Sequence, residues 1–329
     1  MYKRSLHIFR RAITAYHNTA LNRALSSSEE VISCFILDPK LMDSNKNENA
    51  IYFMFESLKE LKKETNLLLE KGHPAEVVDK LIIKYEIEAV FVNRDYTPYS
   101  RERDEKIAAV CRKRDTEFKS FEDQLLTSPD FVFTGNNKPY SVFTPYYRKA
   151  KELSIARPQK TKKGKLKEVK GWVSLKDYFP KNPSAYTGGR SQALKILKDI
   201  GSFSDYERNK DHPYLQATTK LSPHLKFGTV SVREVYHAVK NKLGQEHPLI
   251  RQLYWRDFWA YVAYHFPHVF GEAFHRKFDQ VKWSYDKEKF RLWCEGRTGF
   301  PIVDAGMREL NETGFMHNRG RMVVASFFT

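Results

Sequence analysis

The sequence predicts an α/β domain followed by an all-α domain. Three features carry that reading: short apolar runs alternating with helical patterns as far as residue 135, a Lys-, Gly- and Pro-rich stretch over 151–190, and helical spacing almost without interruption from Ser191 onward. The expected organisation is an α/β domain over residues 1–135, a linker over 136–190 and a helical domain over 191–329.

Ser5 to Phe9 reads as a first strand. Val31 to Leu37 (VISCFIL) ends at Asp38-Pro39, and Ala89 to Val92 (AVFV) ends at Asn93; both are short apolar runs such as strands buried on two faces present. Between them, Ile51 to Leu69 places Ile51, Phe55, Leu58 and Leu61 at helical spacing, and Ala75 to Tyr85 does the same with Val78, Leu81 and Ile82. Ile107 to Cys111 reads as helical and Phe131 to Phe133 as extended. This alternation predicts an open, mostly parallel sheet wound with helices. No G-x-G-x-x-G occurs, so an ordinary dinucleotide site in this half is not supported. Arg157-Pro158, the Lys-rich run 160–170, Pro180, Pro183 and Gly188-Gly189 have linker composition. Beyond them, helical spacing runs through Ala193 to Ile200, Val230 to Val239, Leu249 to Phe266, Lys287 to Cys294 and Ile302 to Leu310.

A chain of 329 residues that is 41% hydrophobic and 14% aromatic can fill two cores. Its formal net charge of +16 favours a polyanionic partner, because Lys and Arg release counterions from phosphates. Cys34, Cys111 and Cys294 lack the spacing of a disulfide framework or a zinc site, so no metal is expected and a reducing compartment fits. No apolar run approaches the roughly 20 residues of a membrane helix. The expectation is a soluble intracellular protein, nuclear or cytoplasmic, with no membrane association. Met1 to Ser28 has the Arg-rich, acid-free composition of a mitochondrial transit peptide, against which stands the strand pattern of Ser5 to Phe9.

Three clusters in the second half carry chemistry. Thr218-Thr219-Lys220-Leu221-Ser222-Pro223 gathers hydroxyls and a cation before a helix, and reads equally as a pyrophosphate cradle or as an N-cap. Trp255 lies on a helix with Tyr254, Phe258, Trp259 and Tyr261, a density that marks core as often as a binding surface. Asn318 and Met322, four apart, share a helix face beside Arg319 and Arg321, a geometry suited to a pocket rim.

The block TGFPIVDAGMRELNETGFMHNRGRM (Thr298 to Met322) resembles the class I DNA photolyases of the photolyase/cryptochrome family. NRDYTPYSRERD (Asn93 to Asp104), VFTPYYRKA (Val142 to Ala150), TTKLSPHLKFG (Thr218 to Gly228) and YWRDFWAYVAYHFP (Tyr254 to Pro267) match in the same order along the chain. The resemblance implies light-driven repair of DNA containing pyrimidine dimers, with FAD as cofactor and a folate or deazaflavin as antenna. It implies flavin contacts at Tyr206, Thr218, Thr219, Lys220, Leu221, Ser222, Arg256 and Arg321. On the DNA side it implies Lys210 and Arg319, with Gln252, Trp255 and Met322 at the dimer; Trp255 is the stacking wall and Trp259 is assigned to the core. Asn318 contacts flavin and substrate, and Trp283 matches the outermost member of an electron relay; these two are the implied catalytic residues.

Specificity follows from two signals that conflict, the Asn318/Met322 pair and Gln252. The (6-4) enzymes carry histidines for proton transfer where this chain has Asn318 and Met322, which points to cyclobutane dimers. Gln252 stands where cyclobutane-dimer enzymes place Glu, which points the other way, and the two specific positions outweigh it. The family's FRRDLR…DN pattern appears here as Phe9-Arg10-Arg11-Ala12-Ile13-Thr14…His17-Asn18, without three of its charges. Against the family pattern the chain reads as C-terminally truncated, lacking part of the flavin pocket and two relay tryptophans. That reading leaves the chain either inactive or in need of a second polypeptide, with a non-catalytic DNA-binding remnant or a cryptochrome-like light sensor as alternatives.

Overall fold

The structure, a computed structural model, describes residues 1–44, 47–169 and 185–329. Lys170, Pro180 and Pro183, counted above with the linker, lie outside the described residues.

Strands β1 (Tyr2–Phe9), β2 (Ser28–Leu37), β3 (Leu68–Lys71), β4 (Ala89–Asn93) and β5 (Glu117–Phe121) form one parallel sheet in the order β3-β2-β1-β4-β5. Helices α1 (Thr19–Ser27), α2 (Pro39–Ser44), α3 (Glu48–Thr65), α4 (Pro74–Tyr85) and α5 (Pro98–Lys113) connect them. Parallel pairing leaves both faces to be covered, which is why β2 and β4 are apolar runs rather than alternating ones. Phe9, Val31, Phe35 and Phe91 pack with Leu21, Phe55 and Leu58 on one face. Leu6, Ile32, Cys34 and Val90 pack with Val78, Leu81, Ile107 and Cys111 on the other. The winding reverses between β1 and β4, and such a switch point opens a crevice at the carboxyl ends of the strands. Residues 2–9, part of the transit-peptide reading, form the central strand of this sheet.

Two sequence expectations are corrected here. The helix expected to run to Leu69 stops at Thr65, where Asn66 takes a left-handed conformation at φ 52°, and Leu68–Lys71 pairs with Cys34–Leu37. Phe131 to Phe133 contributes no strand; Pro129–Phe131 is a 3-10 turn, and the fifth strand is Glu117–Phe121.

The second half is helical: α6 (Phe143–Ala150), α7 (Arg190–Lys198), α8 (Tyr206–Asn209), α9 (Ser222–Phe227), α10 (Val232–Leu243), α11 (Pro248–His265), α12 (Lys287–Glu295), α13 (Pro301–Thr313) and α14 (Asn318–Phe328). α6 falls within the stretch read as linker, yet Phe143, Tyr146 and Ala150 are buried in the same core as Val235, Leu253, Phe258 and Tyr261. Leu166 bridges to Val31 beside β2, and Lys165 and Lys167 both pair with Glu30, so the basic run lies along the α/β domain. Among the described residues no helix is long and apolar enough to cross a membrane.

The two halves are joined by buried polar contacts. Arg233 on α10 reaches Asp123 at 2.5 Å and donates to the His17 carbonyl and Thr19 hydroxyl. Ile13 N–H donates to the Phe227 carbonyl at 3.0 Å. Gly228, at φ 64°, packs so closely on the Arg11–Ala12 backbone that a Cβ there would lie 1.9 Å from the Arg11 oxygen. Two of the three positions that depart from the family's amino-terminal pattern sit in this interface: Ala12 faces Gly228, and the His17 ring lies 3.5 Å from Glu234.

Glu234 also accepts two hydrogen bonds from Arg190, at 2.7 and 3.0 Å. Burial pushes its carboxyl up, but hydrogen bonds from His17 and Arg190 outweigh burial and hold it at about 2 instead of 4.5. An acid with a depressed folded-state pKa stabilises the fold above its unfolded value and loses that contribution as pH falls through the folded one. Stability is therefore expected to decline as pH drops from about 4.5 toward 2. Urea denaturation across that range should show the difference between the wild type and Glu234→Gln shrinking as pH falls; a difference constant with pH would contradict the assignment.

Candidate functional site

A cavity of about 480 Å³ lies between α10, α11, the Thr218–Ser222 turn and the loop after β5. One face of α11 forms a wall, because Leu249, Gln252, Leu253, Arg256, Ala260 and Ala263 recur at helical spacing. Tyr206, Thr218, Thr219, Leu221 and Ser222 complete the opposite side. Helix α9 has only six residues, so its terminus is a weak dipole; the polarity of this wall comes from hydroxyls and side-chain cations.

The cations are crowded. Arg11, Lys226 and Arg256 all line the cavity, and burial together with Arg11 and Arg321 pushes the Lys226 ammonium below its ordinary pKa. Arg11 is paired with Asp95 at 3.2 Å. Burial raises the Asp95 carboxyl, but Arg11 and Arg103 outweigh it and hold the group below its ordinary range. Arg256 is committed to structure: it donates to the Gln124 carbonyl at 2.7 Å and lies 3.3 Å from Asp257. Asp257 is fully buried and accepts from the N–H of Leu126 at 2.6 Å. Burial pushes its carboxyl up to about 7, against the pull of Arg256 and of those backbone donors. This network fixes the loop that carries Gln124, whose Nε2 is buried with no protein partner among the described residues. Like charges held together beside the Thr218, Thr219 and Ser222 hydroxyls, with a buried donor that has no partner among the described residues, fit a bound anion with further acceptors, such as the pyrophosphate of a dinucleotide.

The structure thus brings Tyr206, Thr218, Thr219, Leu221, Ser222, Gln252 and Arg256 to one cavity. Other expected residues lie outside its wall. Lys220, at φ 52°, donates to Gln216 at 2.6 Å and sits over the Tyr186 and Phe315 rings. Asn318, Arg321 and Met322 lie on the exposed side of α14, and Arg321 donates to the Met316 carbonyl. Thr218 links this helix to the cavity, because it also lines a smaller pocket with Met316, His317 and Gly320. Arg319 pairs with Asp211 at 2.6 Å, and Lys210 with Glu207 at 2.5 Å. Trp283 is half exposed in the segment before α12. Trp255 is partly buried, with its ring against Phe143 at 3.6 Å and 9°. Trp259, assigned to the core from sequence, is instead 62% exposed.

A second cavity, of about 590 Å³, occupies the switch-point crevice at the ends of β1, β2 and β4. It shares Arg11, Asp95, Thr97 and Lys226 with the first. Arg10 Nη2, Arg103 Nη2 and Asp38 Oδ2 are buried in this region without protein partners among the described residues. Arg11, Lys226, Arg10, Arg103 and Asp38 were not singled out from sequence. Arg10 and Arg11 are neighbours, but Asp38, Arg103 and Lys226 are far from them along the chain, and the fold brings the set together.

Comparison with known proteins gives these cavities a context. Residues 5–163 match the family described as DNA photolyase, and residues 249–329 match the FAD binding domain of DNA photolyase. The chain is 32% identical to a deoxyribodipyrimidine photo-lyase of Alkalihalophilus pseudofirmus, over 98% of this chain and 72% of that protein. It is 30% identical to the corresponding protein of Synechococcus, over 97% and 72% respectively. Among solved structures, an archaeal photolyase from Sulfolobus tokodaii with two FAD molecules superposes with a TM-score of 0.88 at 38% identity, covering 98% of this chain and 74% of that one.

Proposed function

This chain belongs to the DNA photolyase family, and we propose that it serves the light-driven reversal of cyclobutane pyrimidine dimers in DNA, with FAD bound in the cavity along α11. The observation that carries this reading is the cavity itself, where hydroxyls, crowded cations and the α11 face bearing Gln252 and Arg256 converge. FAD bound in its reduced form would supply a single electron on illumination and take it back after the ring splits. The residues of this chain bind, orient and screen. Thr218, Thr219 and Ser222 donate hydroxyls to the phosphates, with Tyr206 and Lys220 alongside and Leu221 closing the wall. Arg256 adds positive potential while anchoring the Gln124 loop, and Arg321 contributes charge from α14.

Substrate contacts are assigned to residues of α11 and α14. Asn318 and Met322, one turn apart on α14, are assigned to flavin and dimer contact, and Gln252 to hydrogen bonding at a base edge. Neither Asn318 nor Met322 can deliver a proton, which favours cyclobutane dimers over (6-4) products. Trp283 is assigned to the surface end of an electron relay and Lys210 and Arg319 to DNA phosphates, while Trp255, with Phe143 against one face and Trp259 stacked beside it, is assigned to backing the lesion face rather than to open stacking on the dimer. The switch-point cavity is assigned to an antenna chromophore of the deazaflavin or flavin type. Buried donors on Arg10 and Arg103 and an acceptor on Asp38 complement the carbonyl and N–H groups along such a ring edge.

The test combines binding and turnover. FAD titrated in the dark should quench its own fluorescence on binding, and the double variant Thr218→Val/Ser222→Ala should weaken binding by roughly tenfold or more, the effect of losing hydrogen bonds to a charged group. Thermal stability should be unchanged. Illumination of the reduced FAD complex should restore monomeric thymines from a purified dimer substrate; flavin binding unaffected by the double variant, or no repair under illumination, would reject the assignment.

A further inference from the structure

Trp255 and Trp259 lie one turn apart on α11, and their rings stack with centroids 6.0 Å apart at 23°. Trp255 in turn lies against Phe143 at 3.6 Å and 9°, and Phe143 against Tyr147 at 5.6 Å and 10°. The four rings form a near-parallel series from the helical core to the surface. Phe143 covers one face of Trp255 at van der Waals distance, so no base can stack there. Trp259 ends the series and is 62% exposed.

From this arrangement we infer that Trp259 is a stacking platform for a nucleobase at the lesion, and so a specificity-determining residue. The inference rests on the reading of this face as the lesion site. An exposed indole has a cost in water, and rings stacked behind it hold its plane fixed, so a base landing on it sacrifices little side-chain freedom. Its position suits the role: Trp259 is seven positions, about two turns, beyond Gln252, so it shares a side of α11 with a residue of the cavity wall. The surroundings suit a nucleic acid. The Arg251 guanidinium lies 5.6 and 5.9 Å from the Phe143 and Tyr147 rings, and Arg148 and Lys149 are exposed on α6. A base extruded from a duplex loses its stacking partners and needs such a surface to replace them.

Fluorescence anisotropy with a duplex carrying one thymine cyclobutane dimer, and with the same duplex undamaged, tests the inference. Trp259→Ala should weaken binding to the damaged duplex about tenfold, within the usual range for aromatic stacking. Undamaged-duplex affinity and the salt dependence of binding should stay at wild-type values, because no charge is removed. Trp259→Phe, which keeps an aromatic face, should recover most of the loss. Preference for damage retained in full by Trp259→Ala, or an equal loss on both duplexes, would overturn the inference while leaving the lesion site in place. A wild-type chain that does not distinguish the two duplexes would reject the lesion reading and this inference with it.

Discussion

Replacing Arg233 by Ala should destabilise the fold by about 3–5 kcal/mol, the usual consequence of removing one partner from a buried ion pair. The Arg233 and Asp123 side chains are 12% and 6% exposed and meet at 2.5 Å. Without the guanidinium, Asp123 keeps, among the described residues, the Thr19 N–H and hydroxyl as donors, at 3.1 and 2.6 Å, and these do not neutralise its charge. The His17 carbonyl loses a donor at the same time, so the damage falls on the junction between the sheet and α10. The double variant Arg233→Met/Asp123→Leu should recover much of the loss, because it removes both charges and fills the space with apolar atoms. Chemical denaturation followed by both tryptophan fluorescence and circular dichroism gives the measurement. A single-variant cost below about 1 kcal/mol, in the range of exposed pairs, would show that this contact does not hold the halves together.

The sheet was legible where its chemistry is local. β2 and β4 are apolar runs closed by Asp38-Pro39 and by Asn93, and parallel strands buried on both faces leave that signature. β5 left none, because Glu117, Lys119 and Ser120 occupy an edge strand that solvent reaches. β3 was hidden by Leu67, Leu68 and Leu69, which extend the helical pattern of α3; only the left-handed Asn66 marks the break. α6 carried a readable signal in Phe143, Tyr146 and Ala150, three and four residues apart, but its neighbours are basic and the stretch as a whole has linker composition.

The site divides along the same line. Thr218, Thr219, Leu221 and Ser222 are nearly contiguous and Arg256 lies in a recognisable motif, so the sequence assigns them to one cofactor; Gln252, which it assigns to the dimer, lines the same cavity. Arg11 and Lys226 come from opposite halves of the chain, and no spacing rule connects them. Trp259 was assigned to the core because aromatic density on α11 favours burial; its exposure depends on what α6 covers, and α6 reaches Trp255 but stops short of Trp259. Arg256 was read as a phosphate partner, whereas its hydrogen bonds to Gln124 and Leu225 give it a positioning task as well.

Ion pairing of the proposed DNA contacts leads to the prediction with the largest effect on affinity. Arg319 pairs with Asp211 and Lys210 with Glu207, and all four side chains are partly or largely exposed. Exposed pairs contribute about 0–1 kcal/mol, so a DNA phosphate can displace either carboxylate at little cost. Each phosphate so neutralised releases counterions, and a face engaging about four of them should lose roughly a hundredfold in affinity between 50 and 200 mM salt. Arg319→Ala should weaken binding to damaged and undamaged duplex alike and lower the slope of log affinity against log salt by about 1. Asp211→Asn should act in the opposite direction, since it frees Arg319 and removes a carboxylate that repels the phosphate. Anisotropy titrations at four salt concentrations separate these effects from stacking at Trp259, which should leave the slope unchanged. If Arg319→Ala keeps the wild-type slope, or Asp211→Asn binds no more tightly, then DNA does not reach this end of α14, and the lysines at 160, 162 and 163 become the next positions to substitute.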